Sequence, residues 1–340
     1  MMEKREYTAE DLRDIISGKR KAERVPNLTQ IWINPDIYGE DEARARKILS
    51  SYPCDATIIP INTPNPVLAP PDAPDYVWVK NPAKTDSSAF DAMIYIDDFG
   101  RIDDVLKEFP SPDYPNLFGK PGFLEDAKGK NAYRLGHFWY MFFERHWSLR
   151  GMENALTDFY DYPESVHKLY GALADFYCGV IERAKKEQNV DGMFISDDLG
   201  TQAGPMFSEE IFVEFFKPYY KKVFDLCHSL GIQFWLHSCG NIERFIPHFV
   251  EIGLDVLHPI QKYTMDERKI AQQFGNKICI WAGFDVQRIL PFGRPDEVRA
   301  EVRRIKDIYK DARWMFTLGN GATPDCSLEN IETLLAELFR

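Results

Sequence analysis

Long hydrophobic runs are missing from this sequence. No stretch approaches the about 20 apolar residues that a bilayer-crossing helix needs. The N-terminus, Met1-Met-Glu-Lys-Arg-Glu6, is charged and leads into Thr8-Ala-Glu-Asp11, which reads as a helix start and not as a signal peptide. Positive charge is in deficit, with 41 lysines and arginines against 53 acids. A net charge of −12 argues against nucleic acid or an anionic membrane surface as partner. Cysteine is sparse, six in all, with neither CxxC clustering nor disulfide-scaffold density, so a reducing cytoplasm is the expected location. A Gly-x-Gly-x-x-Gly fingerprint after the first predicted strand is lacking too, which weighs against a doubly wound nucleotide-binding sheet.

What is present is a large core. Apolar residues make up 44% of the 340 and aromatics 14%, ample for a packed interior. Apolar runs predict strands at 30–33, 56–61, 133–136, 191–196, 232–236, 255–258, 278–282 and 314–318. Helical patterns fill the intervals, at 8–22, 40–51, 138–149, 151–159, 163–187, 218–230, 243–252, 266–274, 295–310 and 328–339. A further helix is capped by Ser208, with Glu209 and Glu210 in its first turn. Eight strands, each followed by helix, predict an α/β fold of the (β/α)8 TIM-barrel type, one domain spanning 1–340. Residues 62–129 break the alternation. Prolines crowd 64–74, and the runs Tyr76–Val79 and Ala92–Ile96 predict an antiparallel hairpin. The segment reads as an insertion after the second strand, on the rim formed by the strands' carboxyl ends.

Active sites of such barrels sit at that rim. Polar residues gather there: Asn34, Asp36, Asn62, His137, Asp197, Asp198, His237, Cys239, His258, Gln261, Asp285 and 320–326. His237 and Cys239 lie two apart at the end of the run Ile232–Leu236, so both side chains can aim at one point. Imidazole and thiolate are preferred zinc ligands, and catalytic zinc commonly keeps three protein ligands and an open position. Cys326, after the eighth predicted strand, faces the same mouth and is the candidate third ligand. Structural accounts compete, with Cys239 as a small core residue and Cys326 as a partly exposed helix N-terminal residue. Cys54, Cys178, Cys227 and Cys279 read as core fillers. Asp197 and Asp198 are candidate catalytic residues, in support of a metal-bound histidine or in contact with substrate, against the alternative of helix capping. As neighbours on a strand end they point to opposite faces, so at most one faces the site. His137, His258, Gln261, Asp285 and Asn320 are candidate substrate-binding residues, His258 being as suited to a hydrogen-bonded rim position as to a ligand.

Five segments now carry a resemblance: Ile195-Ser-Asp-Asp-Leu-Gly200, His237-Ser-Cys-Gly-Asn-Ile242, Gly253-Leu-Asp-Val-Leu-His-Pro-Ile-Gln261, Trp281-Ala-Gly-Phe-Asp285 and Asp325-Cys-Ser-Leu-Glu-Asn330. Over about 190–335 the chain resembles the uroporphyrinogen decarboxylase superfamily, which includes zinc methyltransferases that work with corrinoid proteins. The decarboxylases carry Arg-Gln-Ala-Gly-Arg-Tyr near the first strand and Phe-Ser-Asp after the second. Here those places hold Asn34-Pro-Asp-Ile-Tyr38 and Asn62-Thr-Pro-Asn65. The methyltransferase branch binds zinc through His-x-Cys and a distant Cys, which His237, Cys239 and Cys326 match. The resemblance therefore implies a zinc-dependent methyltransferase moving a methyl group between a small methylated substrate or thiol and the cobalt (cobalamin) of a corrinoid protein. A cofactor-free decarboxylase is the alternative. Phe138, Trp139, Tyr140, Trp147, Tyr76 and Trp78 suit an aromatic or apolar substrate such as a methoxyaromatic. Oligomeric state is open, with a homodimer as one candidate.

Overall fold

The computed structural model describes residues 6–83, 89–119 and 132–340. The start Met1–Arg5 and residues 84–88 and 120–129 of the expected insertion lie outside the described residues. Among the described residues seven strands form one parallel sheet in chain order: β1 Ala56–Pro60, β2 Tyr133–Phe138, β3 Gly192–Ser196, β4 Gln233–His237, β5 Val256–His258, β6 Cys279–Phe284 and β7 Trp314–Leu318. Every residue of β3 to β7 is buried, as follows when helices cover one face of a sheet and side chains fill the other.

The helices are α1 Ala9–Ser17, α2 Glu42–Ser50, α3 Ile102–Leu106, α4 Phe143–Arg150, α5 Met152–Asp161, α6 Pro163–Gln188, α7 Glu209–Ile211, α8 Lys217–Ser229, α9 Ile246–Glu251, α10 Glu267–Phe274, α11 Ile289–Phe292, α12 Pro295–Tyr309 and α13 Leu328–Leu338. Local chemistry sets their ends. Thr8 and Asp11 cap α1 reciprocally, and Gly18 in the left-handed region (φ 76°) stops it short of the predicted Ala22. Ser208 caps α7 as expected. None of these helices is long and apolar enough to cross a membrane.

The first of the eight expected strands, at 30–33, does not form. Residues Thr29–Trp32 wind into a 3-10 turn instead of the strand read at 30–33. Buried amides explain it: Asn27 Nδ2 donates to Gln30 Oε1 and Pro53 O, and Gln30 Nε2 donates to Leu49 O and Tyr52 O. Those bonds offer the backbone a turn in place of a ladder. Where that strand would stand, the chain pairs only at Asn27, opposite Phe316 of β7. Leu28 N donates to Phe316 O, Phe316 N to Pro26 O, and Asp55 N to Asn27 O, so residues 26–28 link β7 to the residue preceding β1. Trp32 is thereby turned inward. Its ring meets Phe194 of β3, His237 of β4, His258 of β5 and Trp281 of β6 at centroid distances of 5.8, 5.6, 4.8 and 6.0 Å, so the sheet curls around it. The fold is α/β with a curled, seven-stranded parallel sheet.

The predicted hairpin is not formed. Tyr76, Val77, Trp78 and Val79 are all buried, so their pattern is a continuous apolar run and not the alternation of a half-exposed strand. Among the described residues a single bridge, Asn65 to Val77, involves them. Tyr95 and Ile96 instead donate their N–H groups to Leu149 O in α4.

Candidate metal and substrate site

Register brings the site together. Ser196, His237 and His258 lie abreast at the carboxyl ends of β3, β4 and β5. His237 Nδ1 is 2.8 Å from His258 Nδ1, and His258 Nε2 is 2.9 Å from the carbonyl oxygen of Leu318 at the end of β7. Burial drives both imidazoles below their ordinary pKa, so both are neutral. A carbonyl can only accept, so His258 carries its proton on Nε2 and its Nδ1 is a lone pair. His237 must then donate from Nδ1, which leaves its Nε2 unprotonated. The peptide of Leu318 thus sets the tautomer of His237 through a two-ring relay.

That free Nε2 faces two further donors. Cys239 Sγ lies 3.4 Å away and Asp198 Oδ1 3.6 Å away, and the ligand atoms of all three residues fall within 4.8 Å of one another. Bonds of about 2.3 Å to sulfur and 2.0–2.2 Å to nitrogen and oxygen, at tetrahedral angles, require donor separations of about 3.4–3.6 Å. The residues fit a zinc-like ion. Asp198 is held by the Cys239 N–H, which donates to Oδ1 at 2.6 Å. Burial pushes the Cys239 thiol well above its ordinary range, and the neighbouring charges of Asp198 and Glu144 push the same way.

Close backbone packing fixes the cysteine loop. Gly240 has φ 82°, and a Cβ there would sit 2.3 Å from the Gly200 carbonyl. Gln261 Oε1 accepts from Gly240 N at 2.6 Å. Beside the cluster lies a cleft of about 180 Å³ whose lining includes Cys239, Gln261, Tyr263, Asp285 and Asn320. A larger cleft, about 910 Å³, lies elsewhere, among the ends of α1, α12 and α13. Its cations serve structure: Lys306 donates to Glu337 O and Leu338 O, and Arg313 to Ile16 O.

The remaining predicted residues divide. Asp285 accepts from Gln287 N, Arg288 N and the Tyr263 hydroxyl, and so shapes the rim of the cleft. Asn320 brings Nδ2 to 4.0 Å from Cys239 Sγ. His137 donates Nδ1 to Phe194 O, and burial lowers its pKa to about 4. The exposed Trp139 ring packs edge-on against both His137 and His237.

Two expectations need correction. Asp197 turns away from the site: it accepts from the N–H groups of Phe142, Phe143 and Glu144 and from the Tyr220 hydroxyl, capping α4. Burial pushes it up to about 6, while those hydrogen bonds pull the other way. Cys326 is not part of the donor cluster. It is buried, with Sγ 3.7 Å from Thr323 Oγ1, where the loop turns before Ser327 caps α13.

One residue escaped the sequence reading. Glu144 is buried, accepts from Ser196 Oγ, and is raised well above the carboxylate range by burial and by Asp198 and Asp197. Its signal was the charged pair Glu144-Arg145 inside the aromatic run Phe142–Trp147.

A family model described as uroporphyrinogen decarboxylase (URO-D) matches residues 147–338, more than half of the chain. A "uroporphyrinogen decarboxylase" of Vesicomyosocius okutanii is 24% identical over 176 residues, 51% of this chain and 48% of that protein. A "methylated-thiol–coenzyme M methyltransferase" of Methanosarcina mazei is 24% identical over 160 residues, 46% of this chain and 40% of that protein. The chain thus spans less than half the length of either curated relative. Among solved structures, a methyltransferase from Methanosarcina mazei superposes with a TM-score of 0.60 at 16% identity, covering 98% of each chain, and so shares the fold.

Proposed function

The chain belongs to the uroporphyrinogen decarboxylase family, and from that premise we propose that it is a zinc-dependent methyltransferase working with a corrinoid protein. The methyl group moves between a small methylated substrate or thiol and the partner's cobalt. The observation that carries this reading is the unprotonated Nε2 of His237, 3.4 Å from a thiol and 3.6 Å from a carboxylate. Ligand identity is part of the proposal: His237 and Cys239, with Asp198 as the third donor.

Zinc bound there would supply Lewis acidity toward the heteroatom that bears or accepts the methyl group. His237 enters neutral, oriented by His258. Cys239 would lose its proton to solvent on binding the ion, so that a thiolate, a neutral imidazole and the Asp198 carboxylate would hold it together. The cleft lined by Gln261, Tyr263, Asp285 and Asn320 holds the small molecule, and the exposed rings of Trp139 and Tyr263 border the mouth through which the corrin would approach.

A second reading, decarboxylation, is favoured by the match to a relative of that name. Metal content separates the two. Purified protein should hold about one zinc per chain and transfer methyl between free methylcobalamin and a thiol, and chelation should abolish transfer. Substoichiometric metal after zinc is added, together with carboxylate loss from a substrate by the chelated protein, would replace the methyl-transfer reading with the second.

A further inference from the structure

The larger cleft opens at the amino ends of the strands, where Trp314 begins β7, and its charge is opposite to that of the molecule. Seven lysines and arginines line it against two acids, Glu23 and Asp311, in a chain of net charge −12. Four of those cations have carboxylate partners: Arg20 in Asp11 and Glu23, Arg24 in Asp55, Lys310 in Asp307 and Arg340 in Glu337. Lys21, Lys306 and Arg313 form no ion pair among the described residues. Lys306 donates to the carbonyls of Glu337 and Leu338, and Arg313 to those of Ile16 and Asn276. Such bonds suit the carboxyl ends of α1 and α13, but a carbonyl dipole does not cancel a full charge. Burial lowers the pKa of Lys306, against the pull of Glu337, and the buried Nε of Arg313 has no partner among the described residues. Lys21 stands exposed at the rim. Cations gathered around one hollow repel one another, and an anion inside it relieves that repulsion.

We propose that this cleft binds a small organic polyphosphate, its phosphate groups among Lys21, Lys306, Lys310 and Arg313 and its apolar part against Val25 and Trp314. Multiple negative charge is called for because three cations lack a counter-ion and the exposed Lys310 is held only by a solvent-screened partner. Phosphate oxygens suit guanidinium and ammonium donors alike. Size follows from charge. A large polyanion would extend beyond the cleft, past the screening length of about 8 Å, and meet a surface of its own sign. A volume of about 910 Å³ suits a small molecule with a ring, since such sites run from roughly 300 to 1,000 Å³. Val25 and the buried Ile15, Trp314 and Leu338 supply the apolar wall. His237 and Cys239 stand at the carboxyl end of β4, so the occupant is a second ligand and not the reacting substrate. The site is therefore independent of the metal cluster.

Adenosine diphosphate is a fitting probe, because it joins two phosphates to a flat ring. At fixed ionic strength it should bind saturably in titration calorimetry and raise the melting temperature, whereas adenosine and sulfate should do neither. Lys21→Glu combined with Lys310→Glu should weaken binding about tenfold or more, the size of one lost charge-assisted hydrogen bond. Both side chains are exposed, so the double variant should fold as the wild type does. Lys19→Glu, which alters charge beside the cleft without touching its wall, should leave affinity within about twofold. Inorganic pyrophosphate should compete, more weakly than the nucleotide. No saturable binding, or binding unchanged in the double variant, overturns the site; the second result is also what a nucleotide held by an ion at the distant cluster would give. An equal response to adenosine overturns the anionic assignment, and pyrophosphate as tight as the nucleotide overturns the organic one.

Discussion

Two buried arginines, Arg24 and Arg145, lie at opposite ends of the strands and differ in one respect. Arg24 is 7% exposed and Arg145 3%. Near the amino end of β1, Arg24 clasps Asp55 through two bonds of 2.6 and 2.8 Å, and Asp55 also accepts from the N–H groups of Tyr7 and Asn27. Every oxygen of that carboxylate is used. Near the carboxyl end of β2, Arg145 has no such partner and one nitrogen idle. The same contrast separates the histidines. His228, at the amino end, pairs with Asp255 at 2.9 Å, whereas His237 offers its free nitrogen to a cluster of donors. At the amino end Arg24 and His228 each meet a carboxylate of the chain, although the buried Nε atoms of Arg13 and Arg313 there have no partner among the described residues. The other end leaves donors and acceptors open, which is what binding a ligand or ion requires.

The largest effect tests the open end. Cys239→Ser should reduce turnover to background and zinc well below one per chain, while circular dichroism and melting stay nearly unchanged, because a core this large folds without the ion. Asp198→Ala should lose zinc similarly, and Cys326→Ser should retain it. Zinc lost from Cys326→Ser and retained in Asp198→Ala would restore the ligand set expected from sequence.

At the closed end, Asp55→Ala should destabilise the fold by about 3–5 kcal/mol, since it strands a buried guanidinium and two backbone N–H groups. Urea unfolding measures this. A cost below about 1 kcal/mol would show that the two ends do not differ as described.

His258→Asn removes the ring that orients His237. Zinc affinity should fall about 10–100-fold, the range for a group that orients a metal-bound histidine, with little change in melting. Competition with a chromogenic chelator reads it, and unchanged affinity would break the relay.

The smallest effect is pH-dependent. The hydrogen bond to Asp255 raises His228 above its ordinary pKa, against partial burial. A raised folded-state pKa contributes stability below the unfolded value, and that contribution fades as pH climbs through the folded value. The side chain is 40% exposed, so solvent screening limits the contribution to under about 1 kcal/mol. His228→Gln should flatten the decline in stability above about pH 6.5, and a profile identical to wild type would assign that decline elsewhere.

Much of this protein was legible because it depends on local pattern. Continuous apolar runs marked the seven strands that form, since a strand buried on both faces must be apolar throughout. Ser208 and Thr8 announced their helices through capping. His237 and Cys239 converge because alternate residues share a side, a property of any extended chain. Asp197 and Asp198 part company for the same reason.

What the tertiary structure decided involves partners distant in sequence. The apolar run 30–33 became a turn because Asn27 and Gln30 found carbonyls at Leu49, Tyr52 and Pro53, bonds that no local pattern announces. The tautomer of His237 depends on a carbonyl 81 positions away at Leu318, through a histidine from another strand. Asp198 joined the donor cluster, in place of Cys326, through the packing of Gly200 against Gly240 and the path of the loop after β7. Whether a buried charge meets its counter-ion is settled by the packing of whole elements. That is why Arg24 and Arg145, alike in sequence in each following a glutamate, end in opposite circumstances.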